Sequence, residues 1–224
     1  MENSILRLKK GGYPPCGSNT IYEWKEDVKM KNIKGYINRE QLMDAVGMLT
    51  NPQDQFILMA IYNGIAGKNN MSDLLNLKVK DVNFEKHIIT VGDRIIPMDV
   101  EFEKITLETI TEKFYYSEST SKHANKDTEF NQESPYVIKV KPRASNLWGI
   151  QPLKYTGFRT KYKNIKTKCD LDISPSELET SGIINELLGE RKDWTVADIQ
   201  FALKIRNTPF NAFRLYSIMK EITE

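Results

Sequence analysis

The sequence is poor in the residues that build metal centres and disulfide frameworks. Its 224 residues include two cysteines and two histidines. Cys16 and Cys169 lie far apart, and neither belongs to a Cys-x-x-Cys or Cys/His cluster. This pattern argues against structural zinc and against a disulfide-stapled secreted domain. We therefore expect two free thiols, no metal and no cofactor.

Long apolar runs are also missing. The longest, Phe56 to Tyr62, has seven residues, whereas a bilayer-spanning helix needs about 20. The early basic pair Lys9-Lys10 is followed by Gly11-Gly12 rather than by the apolar region of a signal peptide. Charged residues make up 28% of the chain, and the mean hydropathy is −0.49. These features predict a soluble cytoplasmic protein with no membrane partner.

The charges are distributed unevenly, although the net charge is only +2. Residues 134–169 contain seven lysines and two arginines but no acid, whereas the segments on either side, 99–133 and 170–193, are acidic. A long segment of one sign creates a field that attracts a polyanion, and nucleic acid is the natural candidate. The predicted DNA-contacting residues are Lys139, Lys141, Arg143, Lys154, Arg159, Lys161, Lys163, Lys166 and Lys168.

Most of the chain shows helical periodicity and helix-start signals. Asn38 and Gln41 have capping-box spacing before an amphipathic run, and Asn51-Pro52 opens an apolar helix that ends near Gly64. Phe158, Tyr162 and Ile165 recur at helical spacing within the basic segment. Three further helices are predicted to close the chain, with starts at Ser174-Pro175, Thr195 and Thr208-Pro209.

Strand signals are few. Residues 87–91 and 94–98 flank Gly92-Asp93 and predict a hairpin, and residues 136–141 alternate like a third strand. Residues 117–134 are almost wholly polar and predict a mobile loop, near 116–134. We expect a mainly α fold with a small antiparallel sheet (α+β). Its predicted organisation is an N-terminal arm or linker over 1–36, followed by one domain over 37–224.

Six segments carry motifs in a recognisable order. Leu74–Val82 reads L-L-N-L-K-V-K-D-V, and Ile173–Leu178 reads I-S-P-S-E-L. Their order and sequence resemble the catalytic domain of tyrosine recombinases, the phage-integrase family, over about residues 36–222. The resemblance implies that family's fold and a double-stranded DNA partner. The other four segments are Tyr36–Gln41, Phe56–Gly64, Ile96–Met98 and Asp198–Leu203.

The same resemblance implies where a catalytic site would lie. The family places two arginines, a lysine and two histidines or equivalents around the scissile phosphate, and a tyrosine attacks it. Here Ala66 holds the first arginine position, Ser176 a histidine position and Glu179 the second arginine position. Tyr216 lies two residues later than the expected nucleophile and is more simply a core residue. The resemblance therefore implies a protein that is not an enzyme, with no catalytic residue.

Three interpretations remain open. The first is a DNA-binding protein on an inactive recombinase scaffold, resembling integrase-like prophage repressors and regulators of transcription and lysogeny. The second is an active recombinase that uses Tyr216 with Arg94, Arg206 and Arg214. The third is a protein-interaction module that uses the acidic 99–133 region. Active family members clamp DNA with an additional N-terminal helical domain, so we also expect a homodimer or a partner protein.

Overall fold

The computed structural model describes residues 33–66, 70–117, 127–205 and 210–223. Cys16, nearly all of the predicted N-terminal arm, residues 118–126 of the predicted mobile loop and the predicted helix start at Thr208-Pro209 lie outside these ranges. None of the helices in these ranges is long and apolar enough to cross a membrane.

The described chain is mainly helical with small antiparallel sheets, as predicted. Sheet order is β1-β2-β3 in the larger sheet and β4-β5 in the smaller. Short 3-10 helices span Val79–Asp81 and Ala144–Gly149. The strands are β1 Val82–Asn83, β2 Ile88–Val91, β3 Arg94–Pro97, β4 Phe114–Tyr115 and β5 Thr128–Glu129. The helices are α1 Arg39–Gly47, α2 Pro52–Tyr62, α3 Ser72–Leu75, α4 Val100–Thr111, α5 Tyr155–Lys168, α6 Pro175–Glu190, α7 Val196–Ile205 and α8 Ala212–Thr223.

Helix starts follow the cap signals in the sequence, with two differences. The capping boxes Asn38/Gln41 and Ser174/Glu177 are present at α1 and α6. Asn51 precedes α2 as expected, but its side chain bonds the backbone N–H and carbonyl of Tyr116 instead of capping the helix. The last helix begins after Asn211, whose Oδ1 accepts a hydrogen bond from the Arg214 N–H.

Helix α2 is the centre of the larger core. Every residue from Phe56 to Ile61 has no exposed surface, because α1, α4, α5 and α6 all pack against this helix. A Schellman motif ends it. Gly64 has a φ of +82°, its N–H donates to the Ile61 carbonyl, and the Ile65 N–H donates to the Ala60 carbonyl. The central buried helix and its glycine end are thus confirmed.

A second, smaller core joins the last three helices. Leu187 of α6, Ile199 of α7 and Leu215 of α8 are buried together. Ile33 and Tyr36, which the predicted boundary assigned to the arm, are buried in the same cluster. The Tyr36 hydroxyl donates to Asn185 Oδ1 at 3.0 Å. The domain's packing therefore begins a few residues earlier than the sequence indicated.

The hairpin prediction is confirmed, but the predicted strand at 136–141 is wrong. Strands β2 and β3 pair antiparallel with Ile89 opposite Ile96, and Gly92 in the turn has a φ of +58°. Within 136–141 a single bridge joins Tyr136 to Lys78. Residues 137–139 are buried consecutively rather than alternately. The Val137 N–H donates to the Leu77 carbonyl, and the Lys139 N–H donates to the Gln53 side chain. The third strand of the sheet is β1 instead.

The second half of the predicted mobile loop contains regular structure. Strand β5 pairs with β4, with Phe114 opposite Glu129. Phe130 is buried, and its ring contacts the ring of Tyr115 edge-on at a centroid distance of 6.3 Å. The buried Phe130 and the pairing of β4 with β5 anchor this half of the polar segment.

Candidate nucleic-acid interface

Helix α5 presents a row of basic side chains. Its apolar residues Phe158 and Tyr162 are buried in the larger core and stack on each other, with ring centroids 5.7 Å apart. Arg159, Lys163 and Lys166 follow at i, i+4 and i+7, so they lie along one side of the helix. We call these three residues the basic row.

The basic row is available to a ligand. Arg159 and Lys163 are exposed. Lys166 contacts the fully exposed carboxylate of Asp172 at 3.4 Å. Ion pairs at a surface contribute little because water and salt screen them, so Lys166 can exchange this partner for a phosphate at small cost.

Lys161 does not belong to this surface, contrary to the sequence-based prediction. Its ammonium lies 2.6 Å from the Asp54 carboxylate on α2, and the Asp54 side chain is only 3% exposed. The same ammonium sits 3.9 Å from the centre of the Tyr115 ring, and the Tyr115 hydroxyl donates to Asp54 at 2.8 Å. Burial lowers the pKa of Lys161, and the Asp54 carboxylate opposes that shift. The residue joins α5, α2 and β4 in the interior.

Lys139 is a second exception. The residue is 4% exposed. Its ammonium donates to the carbonyls of Ile110 and Glu112 at the end of α4 and to the Gln132 side chain. Burial lowers the pKa of this lysine, with the Glu112 carboxylate opposing the change. Lys139 thus caps a helix C-terminus, where cations are favourable, and the prediction that it contacts DNA is wrong.

The remaining predicted residues are exposed. Lys141 and Arg143 precede the 3-10 helix Ala144–Gly149, and Lys154 immediately precedes α5. Lys168 lies on the side of α5 opposite the basic row. Seven of the nine predicted basic residues therefore lie at the surface, whereas the ammonium groups of Lys139 and Lys161 are engaged in the interior.

An ion pair between Arg94 and Asp73 lies near the positions that resemble the catalytic arginines. Arg94 of β3 donates from Nη1 to the Gly64 carbonyl at 2.9 Å and from Nη2 to Asp73 at 2.7 Å. The Schellman turn after α2 presents that carbonyl. Ala66, two residues further on, is completely buried. No signal in the sequence indicates the partners of Arg94, because they lie 30 and 21 residues away from it.

Glu179 lies in the same electrostatic environment. It is partly buried on α6, and its pKa is raised to about 7 because burial removes water from the carboxylate. The Arg94 charge opposes the shift, and Asp73 reinforces it. Ser176, the other α6 position, is exposed. This region thus brings together one guanidinium and two carboxyl groups.

Tyr216 lies in the smaller core. It is partly buried on α8 and packs against that cluster together with Phe210. Arg214 is exposed, whereas Arg206 lies outside the described residues. Among the residues that the structure describes, no group of three or more histidine, cysteine or acidic side chains could hold a metal ion.

Comparison with known proteins identifies the family. Residues 36–201 match a family model described as MrpR, C-terminal catalytic domain. The chain belongs to this family. The tyrosine recombinase XerA of Pyrococcus horikoshii is 29% identical over 117 residues, covering 42% of this chain and 40% of that protein. The resemblance to tyrosine recombinases is thereby confirmed at the level of the family.

A solved structure has a similar fold. The crystal structure of XerA recombinase matches with a TM-score of 0.53 at 17% sequence identity. The match covers 81% of this chain and 59% of the XerA chain. The chain therefore spans less than two thirds of the relatives it matches, and the likeness at this identity concerns the fold.

Proposed function

We propose that this protein binds double-stranded DNA on a catalytically inactive tyrosine-recombinase-like scaffold, as a transcriptional repressor or regulator in a phage or mobile-element genome. The observation that carries the proposal is a contrast in charge between α5 and the positions that resemble the catalytic arginines. The fold keeps an exposed row of cations on α5, while the positions resembling the catalytic arginines hold Ala66 and Glu179.

DNA binding is supported by the positive charge before and along α5 and by the similarity of the chain to a tyrosine recombinase. The relative XerA is named as a tyrosine recombinase, and rearranging DNA requires binding it. Phosphate contacts from lysine and arginine supply most sequence-independent DNA affinity. The exposed cations before and along α5 form a set of such contacts with no acid between them in the sequence.

The inactive part of the proposal is supported by electrostatics. Phosphoryl transfer needs preorganised positive groups around the extra negative charge of the transition state. The Ala66 methyl group cannot supply one, and the Glu179 carboxyl group is neutral or negative but never positive. Arg94 already donates to Gly64 and Asp73. The Arg94 side chain is only 22% exposed, and the guanidinium would have to leave both partners to bind a phosphate.

Two other functions compete with this proposal. An active recombinase would use Tyr216 with Arg94, Arg206 and Arg214, but Tyr216 packs in the smaller core and Arg94 is engaged elsewhere. A protein-interaction module would use the acidic 99–133 region.

We also propose that a second copy of the chain or a partner protein completes the DNA complex, and the mass of that complex tests this point.

Neutralising the basic row should weaken DNA binding and reduce its dependence on salt. For the Arg159→Gln, Lys163→Gln, Lys166→Gln variant, we expect the slope of log affinity against log salt to fall by about 0.9 for each phosphate contact removed, on every duplex. Gel shifts with fragments of the protein's own genomic locus, repeated at several salt concentrations, measure this slope.

A charge-matched control replaces three lysines elsewhere, Lys86, Lys104 and Lys192, with glutamine and should keep both the affinity and the slope. Equal behaviour of the two triple variants would place the DNA elsewhere. If the unmodified chain binds no duplex even at low salt, the protein-interaction alternative gains and the proposed function fails.

The protein should form no covalent link to DNA. Loss of one charge-stabilising donor typically lowers the rate by a factor of about 10² to 10³, and here Ala66, Ser176 and Glu179 stand at three such positions. We expect no covalent adduct between the unmodified chain and a nicked suicide duplex on a denaturing gel, and unchanged binding by Tyr216→Phe. An adduct that Tyr216→Phe abolishes would establish the active-recombinase alternative.

A further inference from the structure

An exposed apolar tip lies between the basic residues that precede α5. The segment Arg143–Gly149, which we call the tip loop, carries Leu147 and Trp148. Their exposed fractions are 58% and 65%, and Ile150 beyond them is 41% exposed. Adjacent exposed leucine and tryptophan side chains leave much apolar surface in water, which is unfavourable unless a partner covers it.

The loop holds this exposed arrangement in a strained backbone conformation. Leu147, Trp148 and Gly149 have φ values of +50°, +55° and +95° in succession. Residues other than glycine disfavour this region, and such strain persists only where surrounding contacts enforce it. At Gly149 a side chain would also meet Asn131 Cβ at 3.1 Å and the Val140 carbonyl oxygen at 3.3 Å.

Two asparagines supply the enforcing contacts. Asn146 Oδ1 accepts hydrogen bonds from the N–H groups of Arg143 and Gly149, at 2.8 and 3.1 Å, and its Nδ2 donates to the Lys141 carbonyl at 2.7 Å. Asn131 Nδ2 donates to the Trp148 carbonyl at 3.0 Å. These bonds fix the backbone on the protein side and leave both apolar side chains exposed, outside either core.

The charges near the tip loop indicate which kind of partner would fit it. Lys141, Arg143 and Lys154 are exposed, and no acidic residue occurs anywhere in 134–169. An exposed apolar tip with cations before and after it along the chain fits a ligand with an anionic surface and an apolar interior. Double-stranded DNA is such a ligand, because phosphates line its grooves and stacked bases lie between them.

We propose that Leu147 and Trp148 act as a wedge that enters the minor groove and partly unstacks one base step, while Lys141, Arg143 and Lys154 contact the flanking phosphates. This inference rests on the proposed DNA-binding function. A wedge favours easily unstacked steps, so the tip loop contributes sequence preference without hydrogen bonds to bases. The basic row of α5 contributes affinity for any duplex.

The test is a double variant, Leu147→Ala with Trp148→Ala, compared with the unmodified chain on duplexes carrying 2-aminopurine at successive positions. We expect the unmodified chain to raise 2-aminopurine fluorescence at one step and the double variant to raise it at none. The affinity of the double variant should fall about tenfold or more while the salt slope stays unchanged, because the side chains removed carry no charge. Trp148→Phe should keep most of both signals.

A matched control removes two equally exposed aromatic rings from α7 and α8, Phe201→Ala with Phe213→Ala, which are 67% and 65% exposed. This variant should bind and unstack DNA like the unmodified chain. Thermal unfolding of both double variants should be unchanged, since none of these side chains lies in a core.

These measurements separate a failure of the wedge from a failure of DNA binding. If the unmodified chain binds duplex and the double variant binds equally well without loss of the fluorescence signal, the wedge is refuted and the DNA-binding function stands. If the unmodified chain binds no duplex, the proposed function fails first. A Trp148-dependent response to anionic lipid vesicles, with no response to duplex, would also overturn the wedge.

Discussion

Gly182→Ala is expected to destabilise the domain by about 3 kcal/mol, at the upper end of what overpacking usually costs. A Cβ atom at Gly182 would lie 1.7 Å from the Tyr62 carbonyl oxygen and 2.7 Å from the carbonyl carbon. Both atoms belong to the backbone of α2, which cannot swing aside as a flexible side chain would. Helices α2 and α6 must therefore move apart, and the fully buried residues of α2 then pack less closely.

The matched control lies on the same helix. Gly189 is exposed, and a Cβ atom added there would meet no other atom within 4 Å. Because alanine is the better helix former, Gly189→Ala should leave stability unchanged or raise it by up to about 1 kcal/mol. Urea unfolding monitored by circular dichroism measures both variants. Equal stabilities for the two would contradict the close approach of α2 and α6.

The Gly182 contact also affects the region around Arg94 and Glu179. Tyr62 is the last residue of α2, and the turn after it presents the Gly64 carbonyl to Arg94. Glu179 lies on α6 one turn before Gly182. Separating the two helices therefore disturbs the Arg94–Asp73 pair and the environment that raises the pKa of Glu179.

Local signals in the sequence predicted most of the helices and the hairpin. The capping box at Asn38 and the Gly92-Asp93 turn depend on interactions within a few residues, so they can be read from spacing alone. The alternation at 136–141 was misleading because Gln53, 86 residues away, takes the N–H of Lys139. A pattern of apolar residues does not reveal which partner its backbone will find.

The candidate interface was predicted less completely for the same reason. The run of cations along the chain indicated the basic segment and thus the exposed row on α5. It could not reveal that Lys161 meets Asp54 across 107 residues, or that Lys139 meets the end of α4. The tip loop escaped detection because the sequence has no signal for a positive φ at Leu147 or Trp148.

Lys161→Met is expected to cost about 3 to 5 kcal/mol, because it leaves the buried Asp54 carboxylate without its counter-charge. The Lys161 and Asp54 side chains are 16% and 3% exposed, so water cannot replace the missing ammonium. The Tyr115 hydroxyl still donates to Asp54, but a neutral donor does not balance a charge. Urea unfolding measures the decrease in stability.

The neighbouring Lys163→Met provides the control, since Lys163 is exposed on the same helix. It should change stability by less than about 0.5 kcal/mol and reduce the salt slope of DNA binding by about 0.9. Lys161→Met should do the opposite, lowering stability while leaving the salt slope unchanged. Adding Asp54→Asn to Lys161→Met should recover part of the stability, because no uncompensated charge then remains in the interior. A Lys161→Met variant as stable as the unmodified chain, with a reduced salt slope, would return Lys161 to the DNA-contacting surface and contradict its place in the core.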